Sequence, residues 1–181
     1  MTETKARSLL AVTAMGSDRG GVAGGLAAAL SDSGCNVESC RMTALGDQFA
    51  VIALASGSWN QIAKLEAQID DLSQRLGLVL QARRAAEAAG DTGTVPYRIE
   101  IVSPDRPGIV NELAHFLAKR RIAIEDMKAG SYRAPHGGTP MFAVDLVVGL
   151  PPGTHFSQLR DDFLDFCDDL NLDAVIEPLR A

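Results

Sequence analysis

The sequence predicts an α+β protein built from two copies of a βαββαβ unit, and three observations support this fold class. The segment DRGGV at residues 18–22 returns 87 residues later as DRPGI at residues 105–109, in a chain of 181 residues. Apolar residues alternate with polar ones beside helical segments in both halves, which is typical of half-buried strands. The second helical segment of each half has apolar residues at steps of three and four. These features together indicate a tandem duplication.

The first strand of each copy leads into a helix. In the second copy Tyr97, Ile99 and Ile101 alternate with charged residues, which predicts a strand. Asp105 and Pro107 then open a helix, with Pro107 suited to its first turn. The second and third strands are expected at about 35–44 and 48–55 in the first copy, joined by a short hairpin turn.

The repeat also locates an insertion. Residues up to Glu125 match the first copy at a spacing of 87, whereas the segment FAV at 49–51 returns at 142–144, a spacing of 93. The longer spacing places extra residues at about 132–140, where glycines and prolines predict a loop.

The second helix is the clearest element in both halves. Its apolar residues are Ile62, Leu65, Ile69, Leu72 and Leu76 in one copy, and Phe156, Leu159, Phe163, Phe166 and Leu170 in the other. A last strand follows near 78–82 and 172–177. Two such units make ferredoxin-like domains, in which two helices cover one face of an antiparallel sheet. We predict a first domain at 1–86, a linker at 87–95 and a second domain at 96–181, and we expect the two to pack together.

Composition limits the classes of function. Hydrophobic residues are 46% of the chain and charged residues 22%, as in globular proteins, and the net charge is −6. This acidic balance argues against direct binding of nucleic acid. No segment has the roughly 20 apolar residues of a membrane span. The three cysteines, Cys35, Cys40 and Cys167, form no paired motif and fit a reducing cytoplasm. We therefore expect a cytoplasmic protein that binds neither nucleic acid nor membrane.

The chain offers no motif for a cofactor, a metal or catalysis. The glycines of the first strand–helix turn lack the spacing of a dinucleotide fingerprint. Gly16 and Gly21 have the spacing of a phosphate-binding loop, but Val22 and Ala23 follow where Lys and Ser or Thr would stand. The three histidines, at 115, 136 and 155, show no metal-ligand spacing. We predict a protein that is not an enzyme and holds no cofactor or metal.

Residues 103–110, SPDRPGIV, lie between a strand and a helix and resemble the signature of ACT domains, small regulatory modules of which many bind amino acids. In the first half, VTAMG at 12–16, GCNVE at 34–38, LGDQF at 45–49 and SGSWN at 56–60 resemble the glycine cleavage system transcriptional repressor family. That family consists of free-standing tandem ACT domains thought to act on a LysR-type activator in response to glycine. This chain departs from it at Gly20, where the motif has proline, and at Gly24 and Gly25, where larger residues are usual.

The resemblance implies a ligand site at each strand–helix turn, completed by the second strand of an adjoining unit. The free amides at a helix start could hold a carboxylate, the glycines allow close approach, and Asn111 could add a hydrogen bond. The residues it implicates are Asp105, Pro107, Gly108, Ile109 and Asn111 with Ile124 in the second copy, and Asp18, Gly20, Gly21 and Val22 with Asn36 in the first. Glycine or serine would be the effector, and a homodimer is expected because sheet edges of ACT units commonly pair.

Three alternatives remain open from the sequence. Asp18 and Asp105 could be only helix caps, with the chain serving as a ligand-free dimerisation or interaction module. The chain could also be a severed regulatory subunit of an amino-acid metabolic enzyme. Trp59 is either packed before its helix or exposed to a partner.

Overall fold

The computed structural model describes residues 7–17, 20–86, 93–135 and 137–179. The chain divides into two compact units, Met1–Gly90 and Asp91–Ala181, which we call unit 1 and unit 2. The predicted linker falls largely outside the described residues, and its last residue, Val95, begins a strand. The predicted domain boundaries otherwise remain a prediction.

Unit 1 has the predicted order strand, helix, strand, strand, helix, strand. Its elements are β1 Ser8–Ser17, α1 Val22–Asp32, β2 Asn36–Leu45, β3 Gln48–Gly57, α2 Trp59–Leu76 and β4 Val79–Ala85. The strands form one antiparallel sheet in the order β2-β3-β1-β4. Both outer strands, β2 and β4, are sheet edges.

Unit 2 repeats this topology. Its elements are β5 Val95–Pro104, α3 Ile109–Lys119, β6 Ala123–Arg133, β7 Pro140–Leu150, α4 Phe156–Asp169 and β8 Asp173–Pro178. The sheet order is β6-β7-β5-β8, with all pairs antiparallel. The predicted insertion is the loop between β6 and β7, where the Ala134 amide donates to the Thr139 carbonyl at 3.0 Å.

Each unit has its own core. In unit 1 alternate strand residues such as Leu10 and Val12 pack with Leu26 of α1 and Leu65 of α2. In unit 2 the corresponding cluster includes Phe163, which is 1% exposed. Because only alternate strand residues join these cores, the helices cover one face of each sheet and leave the other face open. The fold class predicted from sequence is confirmed.

Two local details differ from the sequence prediction. The helix α3 begins at Ile109 with Gly108 as its N-cap, so Pro107 lies before the helix and not in its first turn. Cys35 lies before β2 and not within it as predicted, and β2 has a bulge between Val37 and Ser39. The strand β6 has a bulge at the same place, between Ile124 and Asp126.

Candidate ligand site at the strand–helix turn

The turn from β5 to α3 presents free backbone amides to solvent. The strand ends at Pro104, and the Asp105 amide donates to the Pro140 carbonyl at 3.0 Å. Gly108 then adopts a left-handed conformation, with φ 99°, that favours glycine. The first bond of the helix runs from the Glu112 amide to the Gly108 carbonyl at 2.9 Å, so the amides before Glu112 have no helical acceptor. Such amides, at the positive end of the helix dipole, favour an anion.

The implicated side chains are placed around these amides. Asp105, Pro107, Gly108 and Asn111 are exposed, whereas Ile109 is 2% exposed and belongs to the core. No side chain caps α3. The helix-cap alternative for Asp105 is therefore wrong. Ile109 anchors the helix and offers a ligand only its backbone.

An ion pair beside the turn was not predicted from the sequence. Arg106 and Glu112 form a two-pronged contact, with Nη2–Oε2 at 2.7 Å and Nη1–Oε1 at 3.1 Å. The hydrogen bonds from Arg106 lower the pKa of Glu112, and the same contact raises the pKa of Arg106. Arg106 precedes the helix, so no helical spacing indicates the pair. It places a cation next to the free amides.

The corresponding turn of unit 1 has the same backbone and different side chains. Gly21 has φ 97° and is the N-cap of α1, which also has no side-chain cap. Gly20 and Gly21 are exposed, and Val22 is 7% exposed and belongs to the core. Asp18 lies outside the described residues.

Two glycines mark the difference between the turns. The repeat places Gly24 and Gly25 where unit 2 has Asn111 and Glu112. A Cβ built on Gly25 would lie 2.6 Å from Leu76 Cδ2, so close packing of α1 on α2 explains that glycine, whereas Gly24 has open space. The turn of unit 2 thus carries polar groups that the turn of unit 1 lacks.

The second-strand residues lie far from the turn of their own unit. Asn36 pairs with Ser56, whereas the end of β1 at Ser17 pairs with Gln48. Eight residues of strand separate these positions, about 27 Å at 3.4 Å per residue. Ile124 pairs with Val148, and Pro104 pairs with Met141, so seven residues of strand, about 24 Å, separate the corresponding positions in unit 2. Within one unit the structure does not bring the two halves of the predicted site together, as expected if an adjoining unit supplies the strand.

Asn36 lines a polar pocket of about 480 Å³ at the start of α2. Its Nδ2 donates to Glu38 Oε1 at 3.1 Å, and the Ser56 hydroxyl donates to the same carboxylate. These hydrogen bonds, that from Ser56 first, lower the pKa of Glu38. Ile124 is 39% exposed on the edge strand β6. Both residues are accessible to a neighbouring unit.

The other residues considered in the sequence contribute no cluster. His115 is exposed on α3, His155 precedes α4, and His136 lies outside the described residues. Among the described residues, no group of three His, Cys, Asp or Glu is placed to hold a metal ion. No helix in the described segments is long and apolar enough to cross a membrane.

Trp59 is the first residue of α2 and is 62% exposed. The guanidinium of Arg84 lies 5.6 Å from its ring centroid, and Arg84 also binds Glu66 with Nη2–Oε2 at 2.7 Å. The alternative in which Trp59 is a packed residue is wrong, because most of the ring faces solvent.

Two βαββαβ units, each with a glycine-hinged turn between its first strand and first helix, define a tandem of ferredoxin-like α+β domains. Residues 8–83 match the family model of the ACT domain, and unit 2 repeats the same topology and turn. The chain is similar to the glycine cleavage system transcriptional repressor of Escherichia coli strain K12 and of Shigella flexneri. Each is 23% identical over 167 residues, which span 92% of this chain and 88% of the relative.

Two solved structures share the whole fold. A crystal structure named for a glycine cleavage system transcriptional repressor superposes with a TM-score of 0.74 and 22% identity, covering 97% of this chain and 99% of its own. A protein of unknown function from Galdieria sulphuraria has a TM-score of 0.78 and 26% identity, covering 97% of this chain and all of its own. Because both structures cover 97% of this chain, the shared fold includes both units.

Proposed function

We propose that this chain is a non-enzymatic regulatory protein that binds a small amino acid and controls transcription through contact with another protein. The observation that carries the proposal is the uncapped turn before α3, which holds free amides, Asn111 and an Asp105 carboxylate that has no ion pair with a described residue. The likeness to proteins named glycine cleavage system transcriptional repressor supports the regulatory role.

The chemistry of the turn suits a zwitterion. The amides before Glu112 favour the carboxylate of an amino acid. Asp105 can accept from its ammonium group, and Asn111 can donate or accept. Glu112 is already paired with Arg106, so it is not available to the ammonium. Glycine and serine are the first effectors to test.

The protein partner that the resemblance suggests is a LysR-type activator, contacted by a homodimer of this chain. The exposed ring of Trp59 is a candidate contact, since exposed tryptophan is enriched at binding hot spots. The acidic composition favours protein contact over direct binding of DNA.

Calorimetric titration with glycine and serine tests the ligand proposal. We expect saturable binding by the wild type and at least tenfold weaker binding by Asp105→Ala and by Asn111→Ala. Asn60→Ala is the matched control, because Asn60 is an exposed asparagine in the first turn of a different helix, α2. An equal loss of binding affinity in all three variants, or no heat of binding with either amino acid, would contradict a ligand site at the turn of unit 2.

One observation favours a ligand-free interaction module as a second candidate. Every residue of β6 is exposed, and in β2 only Cys40 is partly buried, so both edge strands offer unpaired backbone groups to another chain. If the wild type binds its partner with the same affinity in the presence and absence of each amino acid, this second function is the better account.

A further inference from the structure

The helix-free faces of the two sheets differ in chemistry. On β1, Leu10, Val12 and Ala14 face the core, so Leu9, Ala11, Thr13 and Met15 face away from the helices. These four residues and their cross-strand partners make up the face that we call the open face of unit 1. The open face of unit 2 is defined in the same way from Arg98, Glu100 and Val102 of β5, because Ile99 and Ile101 are buried.

The open face of unit 1 is apolar and carries a small positive charge. Met15, Ile52 and Val79 are 57%, 54% and 64% exposed, although Ile52 lies on the inner strand β3. Arg41 pairs with Ile52, and Arg83 pairs with Ala11, so both arginines lie on this face. Among the described residues, Glu38 is the carboxylate at the end of this face. Its Oε1 lies 3.5 Å from Nη1 of Arg7. An exposed apolar face of this kind marks an interaction surface.

The open face of unit 2 is acidic. The strand register places five carboxylates on it: Glu100, Asp126, Asp145, Asp173 and Glu177. Two cations, Arg98 and Lys128, share the face. Arg98 contacts Asp145 at 2.8 Å and Glu100 at 3.1 Å, which leaves Asp126, Asp173 and Glu177 in excess.

The two copies have diverged at equivalent positions of the repeat. Ile52 in unit 1 corresponds to Asp145 in unit 2, and Arg83 corresponds to Glu177. Arg83 makes no ion pair with a described residue. The duplication has therefore produced one apolar and basic sheet face and one acidic sheet face, which complement each other in charge.

The area of these faces indicates how they would be used. The four strands of each sheet, spaced about 4.8 Å apart, include a shorter edge strand, β4 or β8, and give one face roughly 600 Å². This is below the roughly 800 Å² per partner of a stable interface. Two such contacts related by a two-fold axis give about 1,200 Å² per partner, which exceeds that requirement. A closed two-fold pair uses both contacts.

We propose that the open face of unit 1 docks on the open face of unit 2 of a second copy of this chain, and that a two-fold axis repeats the contact. Apolar side chains around Ile52 supply the buried area. Arg41 and Arg83 meet the excess carboxylates of the partner copy and set its orientation.

Charge reversal tests the proposal on the intact chain, with the dimer dissociation constant measured by sedimentation equilibrium. The double variant Arg41→Glu and Arg83→Glu makes both faces acidic, and we expect it to raise the dissociation constant at least tenfold. Adding Asp173→Lys and Glu177→Lys restores opposite charges, and we expect it to recover most of the affinity. Ile52→Asp tests the apolar contribution and should also weaken the dimer, whereas Ile52→Val should not.

The control variant is Arg75→Glu with Arg160→Glu, which changes the net charge equally at exposed helix positions. Circular dichroism melting shows whether each variant is folded. A dimer that the reversal leaves unchanged uses other surfaces, such as the sheet edges, and overturns the proposal. A monomeric mass of the wild type at every concentration also overturns it, whether the faces are covered within the chain or by another protein.

Discussion

Single glycines at the two turns fix how each chain segment enters its first helix. Gly21 and Gly108 have φ 97° and φ 99°, a conformation that costs an L-residue roughly 1–2 kcal/mol. A Cβ on Gly21 would meet no atom within 4 Å, so the cost of a side chain there is conformational and not steric. Gly24 has the same open space but lies inside α1.

Two alanine substitutions in unit 1 should therefore have opposite effects. We expect Gly21→Ala to lower the free energy of unfolding by about 1–2 kcal/mol, because its φ is positive. We expect Gly24→Ala to raise it by about 1 kcal/mol, because alanine is the better helix former at an uncrowded position. Urea denaturation measures both, and effects of the same sign would contradict the turn geometry.

At the scale of elements, Arg106 and Glu112 tie the approach to α3 to the helix itself. Their side chains are 36% and 32% exposed, so the pair is a surface contact. The pKa of Glu112 is lowered, chiefly by the hydrogen bonds from Arg106. A carboxyl with a lowered pKa in the folded state stabilises the fold above its unfolded pKa, and this stabilisation is lost as pH falls through the folded pKa.

Glu112→Gln should reduce the free energy of unfolding at neutral pH by more than it does in acid. The difference from the wild type is expected in full above the ordinary pKa of glutamate and should disappear once Glu112 is protonated. Denaturation at a series of pH values measures it. Asp161→Asn, at an exposed helix carboxylate without a described ion partner, is the control variant.

Periodicity predicts the elements well where packing is regular and fails where it is not. The stripe from Ile62 to Leu72 is predicted and buried, because one face of α2 meets the sheet along its whole length. The bulge in β2 escapes prediction, because an extra residue leaves no mark in composition. The contact of Arg106 with Glu112 was not predicted either, because it depends on the path of the chain before the helix begins.

For the whole molecule, the two strand–helix turns are unequal products of one duplication. Both keep the left-handed glycine, but Asn111 and the partner of Arg106 are replaced by Gly24 and Gly25 in unit 1. The sequence predicts a site at each turn, and it already shows Gly24 and Gly25 as departures in the first copy. In the structure a Cβ on Gly25 would lie 2.6 Å from Leu76 Cδ2, so a side chain at this position would require Leu76 to shift.

We therefore expect one amino acid to bind per chain with measurable affinity. Titration calorimetry gives the stoichiometry directly, and Asn111→Ala should remove the observed site without exposing a second of similar strength. A stoichiometry of two, with half the heat surviving that substitution, would show that the glycine turn of unit 1 binds without the added polar groups.

The bulges in β2 and β6 lie at equivalent positions of the repeat, which bears on how the two units arose. Each second strand gains its extra residue at the same point of the repeat, beside Glu38 in one copy and Glu125 in the other. We infer that the single module before the duplication already had this kinked edge strand, and that later divergence altered the surfaces around the kink while leaving it in place.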